Sequence, residues 1–496
     1  MADLGFGIAG LVGTIDACIK VGKYLVHAYK DYDQADAKVN ELSVRIQVCW
    51  SRISSQLEIA RELEDGMTDD QRELQSRILR ILQSKLDAAS VVISKPDRHA
   101  TSKRTKALHF LNVRDNLEST VTDLESWQQR FEPSWFHVIK TGPRTVDGVL
   151  RNVAKTRPQD HEQPAREALR FRRAFDNSES PRLPDKVLEN LDHQIIPYCK
   201  AQVAVERKVS KRYIIDTVSQ ETVKLKDARE LASRLRDSNP FTFGILKCKG
   251  FVPVQTDANL TFVFGVPEGY STVKSCRELL LSDLIPDSLT KRLKIARQLV
   301  TAVYYVHLYE FVHKNITPET ILILESNEER DAMVVCLVGF QLIRYADAQT
   351  NTTNPDRKDT VYQHPSRMGS TAIDFVMQHD IYSLGVCLLE IGLWQSLVHY
   401  EGDKRTQISD MLEATQLSPT NSSQDTIKQT LISLSRYQLR ATMGDIYSKL
   451  VHTCLTCLDE GNAEFGDPRD FEDQDGVEVG SRYVKKIMDA MSVIRY

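Results

Sequence analysis

Several features are scarce in this sequence of 496 residues. A membrane-spanning helix needs about 20 predominantly apolar residues, and the run from Leu4 to Ile15 stops short of that at Asp16 and Lys20. The start has no basic region and carries Asp3, so a secretory signal is not expected. Ala2 follows the initiator methionine, which excludes the myristoylation pattern. Charge of one sign is also missing. The net charge of -4 gives no reason to expect a nucleic-acid partner. Nine cysteines are scattered without regular spacing. They read as reduced and mostly buried, which points to an intracellular, cytoplasmic protein. The one close pair, Cys454 and Cys457, has no second pair or histidine cluster nearby. It lies in an amphipathic helix pattern, so core packing is expected there and a metal is not. There is no internal repeat and no long low-complexity tract.

What is present is globular: 41% hydrophobic and 27% charged residues. At about 100–200 residues per domain, the length suggests two to four domains. Residues 1 to about 155 read as helices. Val39, Leu42, Ile46, Cys49, Ile53, Leu57 and Ala60 recur at steps of three and four, one buried helical stripe. Leu74, Ile78, Leu82 and Leu86 mark a second helix, and a third should end before Pro133. Short loops between such helices imply antiparallel packing in a bundle. Lys140 to Arg173 holds nine Lys/Arg against four Asp/Glu and reads as a helical-to-irregular connector. Asp176–Asp185 is the clearest linker. Beyond residue 205 the segments RYIIDTV, FTFGILKCKGFVPV and LTFVFGVP look like strands, and helices follow them. A small strand-rich part before a large helical one is a two-lobed α+β layout.

The stretch HKNITPETILIL, His313 to Leu324, carries the most chemistry. A helix precedes it, the strand VVCLVGFQLIR follows, and then come HPS (364–366) and HDIYSLGVCLLEIGLW. In this order the pieces resemble a protein-kinase domain over roughly 205–496. The resemblance implies that Asp380 anchors the catalytic loop through its backbone amides, with His313 and Phe340 as fold residues. Phosphoryl transfer on that fold needs a base Asp, a Lys near the phosphate, a metal-binding Asn and the Asp of DFG. Here Asn315 stands for the base, Thr317 for the lysine, Thr320 for the metal Asn and Gly339 for the metal Asp. Losing one electrostatic group from an active site costs roughly 10²–10³ in rate, so four losses argue for a pseudokinase. No GxGxxG precedes the expected hinge at Pro267-Glu268-Gly269. Lys224 and Glu230 are the nearest candidates for the ATP lysine and its helix partner, with surface residues as the plainer reading. The acidic loop Asp467–Gly480 fails the calcium-loop pattern, since Phe471 and Arg482 would fall at its ligand positions.

The opening GFGIAGLVGTIDACIKVGKYLVHAYKDY resembles the fungal HeLo (prion-inhibition and propagation) domain, over about residues 1–200. That family acts in programmed cell death and heterokaryon incompatibility, through oligomerisation and release of a first helix into a membrane. The plan is similar to that of the animal mixed-lineage-kinase-domain-like proteins. The resemblance implies an effector element of Phe6, Ile8, Leu11, Val12 and Ile15. Lys95, Arg98, Lys103, Arg104 and Lys106 would touch anionic lipid at the plasma membrane, at about 1 kcal/mol for each near-surface charge. The residues alone equally allow a first helix that only completes the bundle.

These readings give an all-α HeLo-like bundle at 1–175, a linker at 176–204 and a kinase-like domain at 205–496. The small lobe is placed at about 205–268 and the large lobe at about 269–496. The expected role is a HeLo effector under a regulatory pseudokinase, activated by an unidentified upstream partner. No cofactor is required, although ATP held without turnover fits the fold. An active atypical Ser/Thr kinase and an inert protein-binding adaptor are the rivals.

Overall fold

The computed structural model describes residues 10–494 apart from 31–36, 94–102, 157–162, 176–180, 190, 208–210, 221, 255–258, 283–287, 328–331, 341–343, 346–360, 369–374, 403, 414–422, 463, 466–470 and 472–480. The chain divides into two compact units, Met1–Arg173 and Ala174–Tyr496.

Among its described residues the first unit is helical: α1 (Leu11–Lys30), α2 (Ala37–Glu62), α3 (Asp69–Ile93), α4 (Lys103–Thr141), α5 (Thr145–Thr156) and α6 (Pro164–Arg173). The stripe read on α2 is buried throughout, from Val39 to Ala60. On α3 the buried line runs through Gln75, Leu79, Leu82 and Leu86, whereas Leu74 and Ile78 are only half-buried. The α3 stripe is therefore rotated by one residue at its start. There the Gln75 amide donates to the Ser134 hydroxyl of α4 at 2.7 Å.

Helix α4 runs through Pro133 instead of ending before it. An interior proline costs about 3 kcal/mol through a lost hydrogen bond and a clash. Phe131, Trp135, Phe136 and Ile139 flank it, each at most 1% exposed. Burying one such side chain is worth about 1.5–3 kcal/mol, so tertiary packing outweighs the local penalty.

The stretch read as a connector is also ordered, as α5 and α6. Arg172 bonds the carbonyl of Gly142 at 2.9 Å and the Asp147 carboxylate at 2.6 Å. Part of the basic excess is thus structural. Arg52 of α2 is shared by Glu132 of α4 and Glu167 of α6, the latter at 2.6 Å. Burial pushes the Glu132 carboxyl up although Arg52 opposes it. Removing one member of a buried ion set costs about 3–5 kcal/mol, because the remaining charges lose their partner. Arg52→Ala is expected to cost that much in urea unfolding of the full chain followed by tryptophan fluorescence. A loss under about 1 kcal/mol would mean that the triad is solvated.

In the second unit five strands form an antiparallel sheet in the order β1-β2-β3-β5-β4. They are β1 (Leu191–Ile195), β2 (Gln202–Glu206), β3 (Arg212–Ser219), β4 (Lys247–Val254) and β5 (Asn259–Gly265). Helices α7 (Leu225–Arg234) and α8 (Pro240–Phe243) connect β3 to β4. The stretch read as linker, 176–204, holds β1 and the start of β2, so the sheet begins earlier than the sequence placed it. β1 is short and exposed at four of its five positions, which explains its weak pattern.

A mainly helical lobe follows, with β6 (Tyr270–Ser275), α9 (Cys276–Leu281), α10 (Leu289–Leu308), β7 (Phe311–Val312), β8 (Ile321–Ser326), β9 (Met333–Leu337) and β10 (Arg344–Tyr345). Beyond them lie α11 (Met377–Leu393), the hairpin β11 (Val398–Glu401) and β12 (Lys404–Ile408), α12 (Asp410–Glu413), α13 (Ser423–Arg436), α14 (Gln438–Leu455) and α15 (Ser481–Val493). α11 is the centre of this lobe, buried at nearly every position. A Cβ at its Gly385 would sit 2.6 Å from Cys454 Cβ, so the glycine lets α14 approach. Cys454 and Cys457 are both buried there.

Candidate functional site

The site is built on the loop between β7 and β8, and Asp380 near the start of α11 positions it. Its carboxylate accepts hydrogen bonds from the backbone N–H groups of His313 (2.7 Å) and Lys314 (2.8 Å) and from His307 Nε2 (3.0 Å). Burial alone would raise this carboxyl; the bonds from His307 and His313 hold it below the usual aspartate range. His313 in turn donates Nε2–H to the Val338 carbonyl at 3.1 Å. Burial lowers His313 to about 4, so the ring stays neutral. Its ring lies 5.0 Å from that of Phe340, which packs 5.9 Å from Phe264 of β5.

The four degenerate positions lie together and bond to one another. Asn315 donates its amide to the Gly339 carbonyl at 3.1 Å. The Thr320 hydroxyl lies 2.8 Å from the Asn315 carbonyl and 2.9 Å from that of Thr317, and it accepts from Thr317 N–H at 3.2 Å. Gly339 has φ +85°, and a Cβ there would meet Thr320 Cγ2 at 2.4 Å. The space that a metal-binding aspartate would need is already filled.

Lys224 and Glu230 are not brought to this site. Lys224 is exposed and precedes α7, and Glu230 on the same helix pairs with Arg234 at 3.1 Å. Lys224 is the nearest lysine in sequence, but the family's ATP lysine belongs on the third strand, in V-A-I-K. β3 reads RYIIDTVS, and its position after Tyr213-Ile214-Ile215 holds Asp216. Asp216 is fully buried and accepts from the backbone N–H of Gly339 (3.1 Å) and Phe340 (3.2 Å). Among the described residues its other oxygen has no hydrogen-bond partner. A carboxylate thus occupies the place of a phosphate-binding cation.

Burial raises the Asp216 carboxyl above its ordinary value of 3.8. Its favourable contribution is complete below that ordinary value and is lost as pH rises through the raised one. At neutral pH the carboxyl is therefore a liability. Asn keeps an acceptor for both amides. Asp216→Asn is expected to raise Tm by about 2–4 °C at neutral pH and to leave it unchanged in acid. A lower Tm at neutral pH would show that the carboxylate charge stabilises the site.

The loop between β1 and β2, residues 196–201, contains no glycine. Tyr198 adopts φ +62° in it, and two contacts hold the loop down. The Ser275 hydroxyl donates to the Pro197 carbonyl at 2.6 Å, and the Tyr198 ring packs edge-on against Tyr400 of the β11–β12 hairpin at 4.9 Å. The Tyr400 hydroxyl and Arg405 both bond Glu319. Burial would raise Glu319, but Arg277 and Arg405 hold it at about 2. Behind it Arg277, itself fully buried, reaches Glu390 at 2.8 Å and Ser396 at 2.7 Å and also bonds the Tyr362 hydroxyl.

A magnesium-bound nucleotide does not fit these residues. The two metal positions hold Thr320 and Gly339, neither anionic. The β3 position is an acid, and the loop that should cover phosphates is latched to the lobe below. Among the described residues no group of His, Cys, Asp and Glu is arranged to hold a metal ion. Nor is any helix there long and apolar enough to cross a membrane.

The family model for the protein kinase domain matches residues 199–459. A receptor protein kinase-like protein of Arabidopsis thaliana is 32% identical over 106 residues, 21% of this chain and 13% of that relative's length. The likeness thus spans well under two thirds of that relative. The matched region covers just over half of the chain and contains strands β2 to β5 of the sheet, the β7–β8 loop and α11, and on that ground the chain belongs to the protein kinase domain family.

Proposed function

We propose that the kinase domain of this chain is a non-catalytic regulatory module and that the N-terminal helical unit is the effector of a cell-death or incompatibility-type signalling protein. Asp216 carries the first half of this reading. An acid in the β3 position, bonded to the amides of Gly339 and Phe340, replaces the cation that positions phosphate, while Gly339 and Thr320 supply no metal ligand.

The effector half rests on the HeLo resemblance and on the state of α1. Leu11 and Ile15 are at most 3% exposed, and Val12 is half-buried. Phe6 and Ile8, like Lys95 and Arg98, lie outside the described residues, as do the side chains of Lys103, Arg104 and Lys106. A buried apolar face supports a helix held in reserve, since entering lipid would require its release. Anionic lipid at the plasma membrane and a second copy of the chain are the partners this reading implies.

The test is dye leakage from vesicles containing anionic lipid. Residues 1–173 are expected to cause leakage, the full chain much less, and residues 11–173 none. If residues 1–173 neither bind vesicles nor release dye, the adaptor reading replaces the effector one.

A further inference from the structure

The short turn Pro365–Arg367 is tied to α11 and α13 through two buried histidines, His364 and His379. Lys428 of α13, itself buried, reaches His364 Nε2 at 3.1 Å and also pairs with Asp459. An ammonium can only donate, so Nε2 accepts and the single proton of the ring sits on Nδ1. Ser366 Oγ lies 2.8 Å from that nitrogen and accepts the proton's hydrogen bond. His379, in the first turn of α11, is fixed in a similar way. The Val376 N–H donates to its Nδ1 at 2.9 Å, and its Nε2–H donates to the same Ser366 oxygen at 3.1 Å. Each ring therefore fits only while neutral. A second proton on His364 would meet the Lys428 ammonium, and one on His379 would meet the Val376 N–H. The surrounding charges give little relief. Tyr382 packs edge-on to His364 at 5.1 Å, and Lys314 and Arg367 stand over the ring of Phe375, itself 5.0 Å from His379. Asp380 favours a charged His379, but its oxygens are taken by His307 and the β7–β8 loop.

We propose that His364 and His379 form a pH-sensitive clasp, closed on α11 and α13 while both rings are neutral, and that mild acidification opens residues 364–368 while the rest of the lobe stays folded. Tyr362 limits the opening, because Arg277 and Glu390 hold its hydroxyl and Ser383 bonds its carbonyl at 2.7 Å. Burial, and then Lys428, lowers His364 to about 3; burial, and then His364 and Arg367, lowers His379 to about 3. A histidine in water titrates at about 6.5. The open form thus binds more protons than the closed one between these values, and the clasp weakens as pH falls through the upper one. From pH 7.5 to 5.5 the ratio of open to closed forms should rise about tenfold for each histidine, about a hundredfold for the pair. The clasp depends neither on phosphotransfer nor on the helical unit.

The test is hydrogen exchange of the full chain at pH 7.5 and 5.5, corrected for the intrinsic exchange rate at each pH. The reporters are the amides of Arg367 and Met368, which bond the carbonyls of His364 at 2.9 Å and Pro365 at 3.0 Å. Their protection should fall about a hundredfold at the lower pH and should not change in low urea, the mark of a local opening. His313, also lowered by burial, adds to acid sensitivity only when the β7–β8 loop itself opens, and the urea arm separates that event. Glutamine offers one acceptor and one donor and does not titrate. His379→Gln should therefore cut the change to about tenfold, and His364→Gln with His379→Gln should abolish it. A change under about threefold in the unaltered chain would overturn the proposal. So would exchange that follows urea as the amides of β8 do, or a hundredfold change that persists in the double variant. The first two outcomes need no variant to fold.

Discussion

Arg277→Ala is expected to destabilise the kinase domain by about 3–5 kcal/mol, enough to leave much of it unfolded. Arg277 and Glu390 are both fully buried, and they meet at 2.8 Å. Burial opposes the guanidinium charge, but Glu390, Tyr362 and Glu319 hold it well above the ordinary arginine value. The network ties α9 to α11, to Tyr362 and to the β7–β8 loop, so its removal strands Glu390 without a counter-charge. Lysine should restore only part of the loss, because it lacks the planar fork that serves Glu390, Ser396 and Tyr362 together. Arg277→Met with Glu390→Gln should be less harmful than Arg277→Ala alone, since no buried charge is then unpaired. Urea unfolding of the three variants checks this. A loss under about 1 kcal/mol in Arg277→Ala would show that water replaces the guanidinium.

Gly339→Asp, the change that restores the family's metal carboxylate, should also damage the fold. A non-glycine residue in the left-handed region costs about 1–3 kcal/mol, and overpacking adds about 1–3 kcal/mol. The observed φ of +85° and the 2.4 Å approach to Thr320 Cγ2 invoke both. Thr320→Ser removes that methyl group and should recover part of the packing loss but none of the backbone strain. A double-mutant cycle on Tm separates the two. Equal destabilisation by Gly339→Asp with threonine or serine at 320 would place the whole cost in the backbone.

The helical unit was largely legible because long amphipathic helices repeat their apolar positions at fixed steps. The continuation of α4 through Pro133 was not, since buried aromatic packing overrides a local rule there. The β7–β8 loop and its anchor Asp380 were readable because each motif is short and contiguous. Asp216 has no motif signal of its own in RYIIDTV, where the informative sign is an acid inside an apolar strand, while the lysine that follows at 224 is the more conspicuous residue. Arg277, Glu390, Tyr362 and Glu319 lie far apart in sequence and have no motif of their own. The Tyr198–Tyr400 contact joins a loop to a hairpin about two hundred residues later, a pairing that a single sequence does not encode locally.

Radiolabelled phosphotransfer by the purified full chain, with ATP and magnesium, tests the central claim most directly. No incorporation above background is expected, either into the chain itself or into added protein substrates, and Asn315→Ala should be indistinguishable from the unaltered chain. Robust transfer that disappears in Asn315→Ala would contradict the account, because it would show that Asn315, Asp216 and Gly339 form a working site.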